Sequence, residues 1–211
     1  RCDCWRQSLG EHQLANARIP RRYQHCQLSN FEQTVDSLRE AHRRARAFVD
    51  AFPAVDKGLL LRGRHGVGKT HLAVAMLREI MTTKGARGYF YETRELLKLV
   101  RDTFAGPGES ELDVLRPVLE ADILVLDDLG AEKTSEWVQE TLGLVVNTRY
   151  SERRPTIFTT NLDDTADTTE QHVTGEIVHF NPWRDFNDAP CQLDVFGDEP
   201  DPDQITQFME V

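Results

Sequence analysis

The stretch Gly58–Met81, GLLLRGRHGVGKTHLAVAMLREIM, decides how this chain is read. Gly58–Arg62 is an apolar run of strand length, and Thr70–Met81 repeats apolar residues at helical spacing. Between them, Gly63–Thr70 matches G-x-x-x-x-G-K-[ST] in full. Glycines in such a loop let consecutive backbone N–H groups turn inward around phosphate oxygens, and the helix that follows adds the positive end of its dipole. Lys69 would bring a point charge to the β- and γ-phosphates, and the Thr70 hydroxyl a ligand for Mg²⁺. The candidate nucleotide site is therefore Gly63, Gly66, Val67, Gly68, Lys69, Thr70 and His71, with ATP and Mg²⁺ as the expected cofactors. His65, between the loop glycines, is expected to face outward without a catalytic part.

Working outward from that loop, the same alternation recurs. Ala121–Asp128 (ADILVLDD) reads as a central parallel strand that ends in two carboxylates. Asp127 is assigned to the metal, usually through water, and Asp128 to orienting or deprotonating the attacking water. Thr156–Asn161 (TIFTTN) is a further strand, and Asn161 at its end is placed to hold the attacking water. Asp128, Lys69 and Asn161 are thus the candidate catalytic residues. Helices are expected over about 33–52 (closed by Pro53), 93–104 and 135–150, with a strand at Gly88–Glu92 and a break at Ala105–Gly108. Strands alternating with helices imply an α/β fold, a parallel doubly wound sheet with helices on both faces, and ligands at the carboxyl ends of the strands.

Charge divides the chain unevenly. Residues 1–161 carry 24 Lys and Arg against 22 Asp and Glu, whereas the last fifty carry 13 acidic residues and one basic, Arg184. The overall net charge of −10 is therefore a poor argument against nucleic-acid contact by the body of the protein. Residues 1–30 read as a polar N-terminal linker, 31–161 as the ATPase core, and 162–211 as an irregular acidic tail, mobile in part and including one short strand, Glu176–Phe180. No apolar run approaches the roughly 18 residues of a spanning helix. No signal-peptide core is present, so a cytoplasmic location without membrane contact is expected, and the start at Arg1 is what a fragment would show. Arg149, Arg153 and Arg154 read either as a solvated helix end or as DNA contacts, and Trp137 and Val138 as core. Cys2 and Cys4 are either free thiols or part of a Zn²⁺ site, since two thiolates alone do not complete a tetrahedron.

Together, GRHGVGKTHLA, YETRELLKLVRDTF, ADILVLDDLGAEKTSEW and NTRYSERRPTIFTTNL resemble the DnaC-type replicative helicase loaders of the AAA+ superfamily, with the IstB-like insertion-element helper ATPases as near relatives. The resemblance spans about residues 2–164. It implies an AAA+ P-loop NTPase core, a slow, partner-stimulated ATPase, and a replicative DNA helicase and single-stranded DNA as partners, with self-association through AAA+ interfaces. The alternatives are a transposition helper that binds duplex DNA, or a nucleotide-binding remnant with little turnover. It makes Cys2 and Cys4 candidate Zn²⁺ ligands whose partners would lie upstream, and it puts Asn161 at the sensor-1 position. In one respect the chain departs from the pattern. Loaders of this type carry an arginine finger in the helix after the TTN strand, and Asp163–Gly175 contains neither Arg nor Lys, which leaves Arg149, Arg153 and Arg154 as candidate substitutes.

Overall fold

A computed structural model describes residues 13–55, 57–105 and 110–161. Cys2, Cys4, the acidic tail with its expected strand, and the arginine-free interval after the TTN strand lie outside the described residues. Four strands, β1 (Leu59–Arg62), β2 (Gly88–Glu92), β3 (Ile123–Leu129) and β4 (Thr156–Thr160), form one parallel sheet in the order β1-β4-β3-β2. Among the described residues, helices α1 (Asp36–Ala51), α2 (Lys69–Lys84), α3 (Thr93–Asp102), α4 (Glu111–Glu120) and α5 (Glu136–Ser151) accompany them.

Strand side chains alternate between two faces, and each face has its own core. Leu59, Leu61, Phe90, Ile123, Val125 and Ile157 meet α1 and α2 on one side. Leu60, Tyr91, Leu124, Leu126 and Phe158 meet α3, α4 and α5 on the other. Helices thus cover both faces, as the alternating pattern requires. Helix α2 buries residues nearly all round, including Leu72, Leu77, Ile80 and Met81 at 0% exposure. Each such side chain contributes roughly 1.5–3 kcal/mol. Gly88 allows this close seating: a Cβ there would come within 2.6 Å of Leu77 Cδ1 and 2.9 Å of Met81 Sδ. Ala17, Cys26, Leu28 and Phe31 are buried in the same core, so the stretch expected as a linker packs against α2 from residue 17 onward.

Helix α4 is an element that the apolar spacing leaves unmarked, because it has ten residues and an interior Pro117. Its start is built by a capping box: the Ser110 hydroxyl accepts from Asp113 N at 3.2 Å, and the Asp113 carboxylate accepts from Ser110 N at 3.2 Å. Its far end corrects the reading of Arg149. That residue, 1% exposed, is neither a solvated helix end nor a DNA contact. Its guanidinium donates to the carbonyls of Val118 (2.7 Å), Ala121 (2.9 Å) and Pro155 (2.8 Å) and to Thr156 Oγ1 (2.8 Å). It therefore satisfies carbonyls at the end of α4 and ties them to the start of β4. Val138 is buried, whereas Trp137 is half-buried, with Phe104 edge-on to it and the Arg101 guanidinium 5.0 Å from its ring centre. Among the described residues, no helix is long and apolar enough to cross a membrane.

Candidate nucleotide site

The carboxyl ends of β1, β3 and β4 carry the polar residues singled out above. After β1 the loop turns at Gly63, Gly66 and Gly68, whose φ values are 141°, 84° and 97°. Gly68 is needed twice over, because a Cβ on it would also sit 2.9 Å from Phe31 Cε2. It caps α2 without a side-chain hydrogen bond of its own. Lys69 is 7% exposed, and its ammonium donates to the carbonyls of Gly63 (2.7 Å) and Arg64 (2.8 Å). That fixes the charge at the loop.

The two carboxylates sit in a bulge. From Leu126 to Leu129, β3 advances three residues while β4 advances two, from Phe158 to Thr160. Asp128 accordingly has φ 56°. Asp127 Oδ1 accepts from Thr70 Oγ1 at 2.8 Å and from Thr159 Oγ1 at 2.7 Å. The Thr159 hydroxyl in turn accepts from Asp128 N at 2.9 Å, and Asn161 Nδ2 donates to Asp128 Oδ1 at 2.5 Å. Burial raises the Asp127 pKa, against the lowering effect of the two threonine hydroxyls; the Asp128 charge adds to the rise and Lys69 opposes it. Glu132, just beyond β3, is also raised by burial despite accepting from Gly130 N at 3.1 Å. A buried carboxylate beside two hydroxyls is an all-oxygen donor set of the kind Mg²⁺ takes.

A cavity of about 700 Å³ opens beside the loop, within the range of about 300–1,000 Å³ for ligand sites. Beyond Gly63, Gly66, Val67 and Gly68 it is lined by His25, Asn30, Phe31, Val35, Leu38 and His71. Of these, only His71 stands among the candidates read from the motif. Thr159 was missed as well, although a hydroxyl two residues before Asn161 on the same strand is a legible signal. The residues around Phe31 carry none, since they belong to no motif and reach the loop only through folding.

The IstB-like ATP binding protein family model matches residues 44–166, more than half of the chain. The chain belongs to this family. Curated relatives include the replicative helicase loader DnaC of Escherichia coli (strain K12), 28% identical over 139 residues, covering 66% of this chain and 56% of the relative. The replicative helicase loader DnaI of Bacillus subtilis (strain 168) is 33% identical over 122 residues, covering 56% of this chain and 37% of the relative. A crystal structure of the DnaC helicase loader matches with TM-score 0.63 and 38% identity, over 68% of this chain and 81% of that one. The chain thus spans about half the length of the DnaC relative, and its IstB-like core has the AAA+ P-loop architecture.

Proposed function

We propose that this IstB-like chain binds ATP with Mg²⁺ in the cleft, hydrolyses it slowly under the control of a partner, and serves to load a replicative DNA helicase onto single-stranded DNA. The observation that carries the ATPase part is Asp127, held by Thr70 from the loop and Thr159 from β4, with Asn161 on the neighbouring Asp128. Bound Mg²⁺ would neutralise charge that develops on the phosphates. Thr70 and Asp127 would hold that ion, and Lys69 would bring its charge to the β- and γ-phosphates. Asp128 takes or orients the proton of the attacking water, and Asn161 keeps its carboxylate in position through the 2.5 Å hydrogen bond. The glycine N–H groups and the start of α2 supply fixed dipoles that need no rearrangement.

Helicase loading draws its support from the two relatives that bear that name. A transposition helper is the second reading, favoured by the family's IstB-like description. Self-association through AAA+ interfaces belongs to both. Two assays separate the readings. Immobilised chain with ATP should retain the replicative helicase of its own host and single-stranded DNA; retention of duplex DNA instead, with no helicase, would select the transposition helper. Steady ATP hydrolysis that disappears in Lys69→Ala excludes a remnant without turnover. Equal, negligible turnover in both proteins would establish it.

A further inference from the structure

Beside the phosphate loop, three side chains with metal-binding atoms converge. One ring nitrogen of His25, one of His71 and Cys26 Sγ all lie within 4.8 Å of one another. They join two parts of the chain: His25 and Cys26 follow the short 3₁₀ turn Arg21–Tyr23, and His71 stands in the first turn of α2. The backbone is already tied down here. Cys26 N donates to Tyr23 O at 3.0 Å, and Asn30 Nδ2 donates to His25 O at 2.8 Å.

The ring of His71 is held by the same turn. Asn30 Oδ1 accepts from Gln27 N at 2.9 Å, so backbone partners on both sides fix the orientation of the amide. His71 Nε2 faces that oxygen at 2.9 Å and Gln27 O at 3.3 Å. With two acceptors around it, Nε2 is the donor, and Nδ1 is the nitrogen that a neutral ring would offer to a metal. A histidine whose other nitrogen donates to a protein oxygen is the usual outer arrangement of a metal ligand. Cys26 is 1% exposed; a cation beside it would draw off the thiol proton and leave the thiolate that metals bind.

We propose that His25, Cys26 and His71 form a site for Zn²⁺ or a similarly thiophilic divalent cation. One sulfur and two imidazoles exclude Mg²⁺ and Ca²⁺ as natural occupants, and the three ligands leave a fourth position to water. Zn–S and Zn–N bonds of about 2.3 and 2.0 Å put ligand atoms about 3.5 Å apart. Closure therefore requires inward movement of up to about 1 Å, shared among the three side chains. The bound ion would fasten the N-terminal segment to the helix that carries Lys69 and Thr70, next to the cavity that His25 and His71 line.

The test uses the whole chain with Cys2→Ser and Cys4→Ser, which removes the other N-terminal thiols. Metal-free protein is titrated with Co²⁺, and thiolate-to-cobalt charge-transfer absorption is followed, with Zn²⁺ then added as competitor. A single equivalent of Co²⁺ that Zn²⁺ displaces is expected. His25→Ala and Cys26→Ser should each weaken Co²⁺ binding by more than about 100-fold, and Asn30→Ala by about 10- to 100-fold. Absence of charge-transfer absorption in the Cys2/Cys4 double variant would overturn the proposal. So would His25→Ala that binds Co²⁺ as tightly as its parent. His25 is exposed, so its removal takes no contact from the core and decides the matter even where Cys26→Ser fails to fold.

Discussion

The two ends of the nucleotide cleft are built on different principles. At the phosphate end, backbone geometry and residues close in sequence do the positioning: three glycines with positive φ, and Lys69 on carbonyls six and five residues back. The wall that the N-terminal segment adds beside this loop is assembled across long separations, as in the His71–Asn30 bond over 41 residues. Phosphates present the same charge and shape in every nucleotide, so a short fixed motif serves them. A wall built by folding from distant side chains can instead be shaped to one particular ligand.

Experiments can set one end against the other. The largest effect is expected at the phosphate end: Lys69→Ala should lower the rate of ATP hydrolysis about 100-fold or more in a phosphate-release assay. Next in size is Thr159→Val, which deprives Asp127 of a donor and Asp128 N of its acceptor. It should raise the Mg²⁺ concentration for half-maximal activity and destabilise the fold by about 1–3 kcal/mol, measured by urea unfolding. At the other end, Phe31→Ala should weaken nucleotide binding about tenfold in fluorescence titration, while turnover at saturation changes little. Equal losses in turnover for Phe31→Ala and Lys69→Ala would erase the distinction between the ends.

The smallest expected effect concerns pH. Burial raises the Glu132 pKa above its ordinary 4.5. A raised carboxylate pKa means that the folded state holds the proton more tightly than the unfolded one. The protonated form therefore stabilises the fold fully below 4.5, and this contribution fades as pH rises through the folded value. Glu132→Gln should flatten the decline in melting temperature across that window. A decline of unchanged steepness would remove Glu132 from the account.

How much of this the sequence disclosed follows the same division. The loop, the strand that ends in Asp127 and Asp128, and the parallel alternation were legible because each is a local pattern with a local physical cause. The AAA+ core inferred by resemblance agrees with the family and with the fold. Arg149 was not legible. Beside Arg153 and Arg154 it looks like part of a charged surface, and nothing nearby announces its acceptors on Val118 and Ala121, 31 and 28 residues upstream. Phe31 escaped notice for the same reason. Its place in the cavity wall depends on Gly68, which has no Cβ and so lets the ring approach.

The extra residue in β3 has a consequence for how this protein can change. In an uninterrupted strand, neighbouring side chains address opposite sides of the sheet, and two adjacent acids could not both serve one cleft. The bulge breaks that parity locally and gives Asp127 and Asp128 separate addressees, Thr70 and Asn161. The pair is therefore a directed couple rather than a redundant one: neither acid can stand in for the other after substitution. Loss of the single surplus residue would restore the parity and sever one addressee, although every remaining side chain were kept.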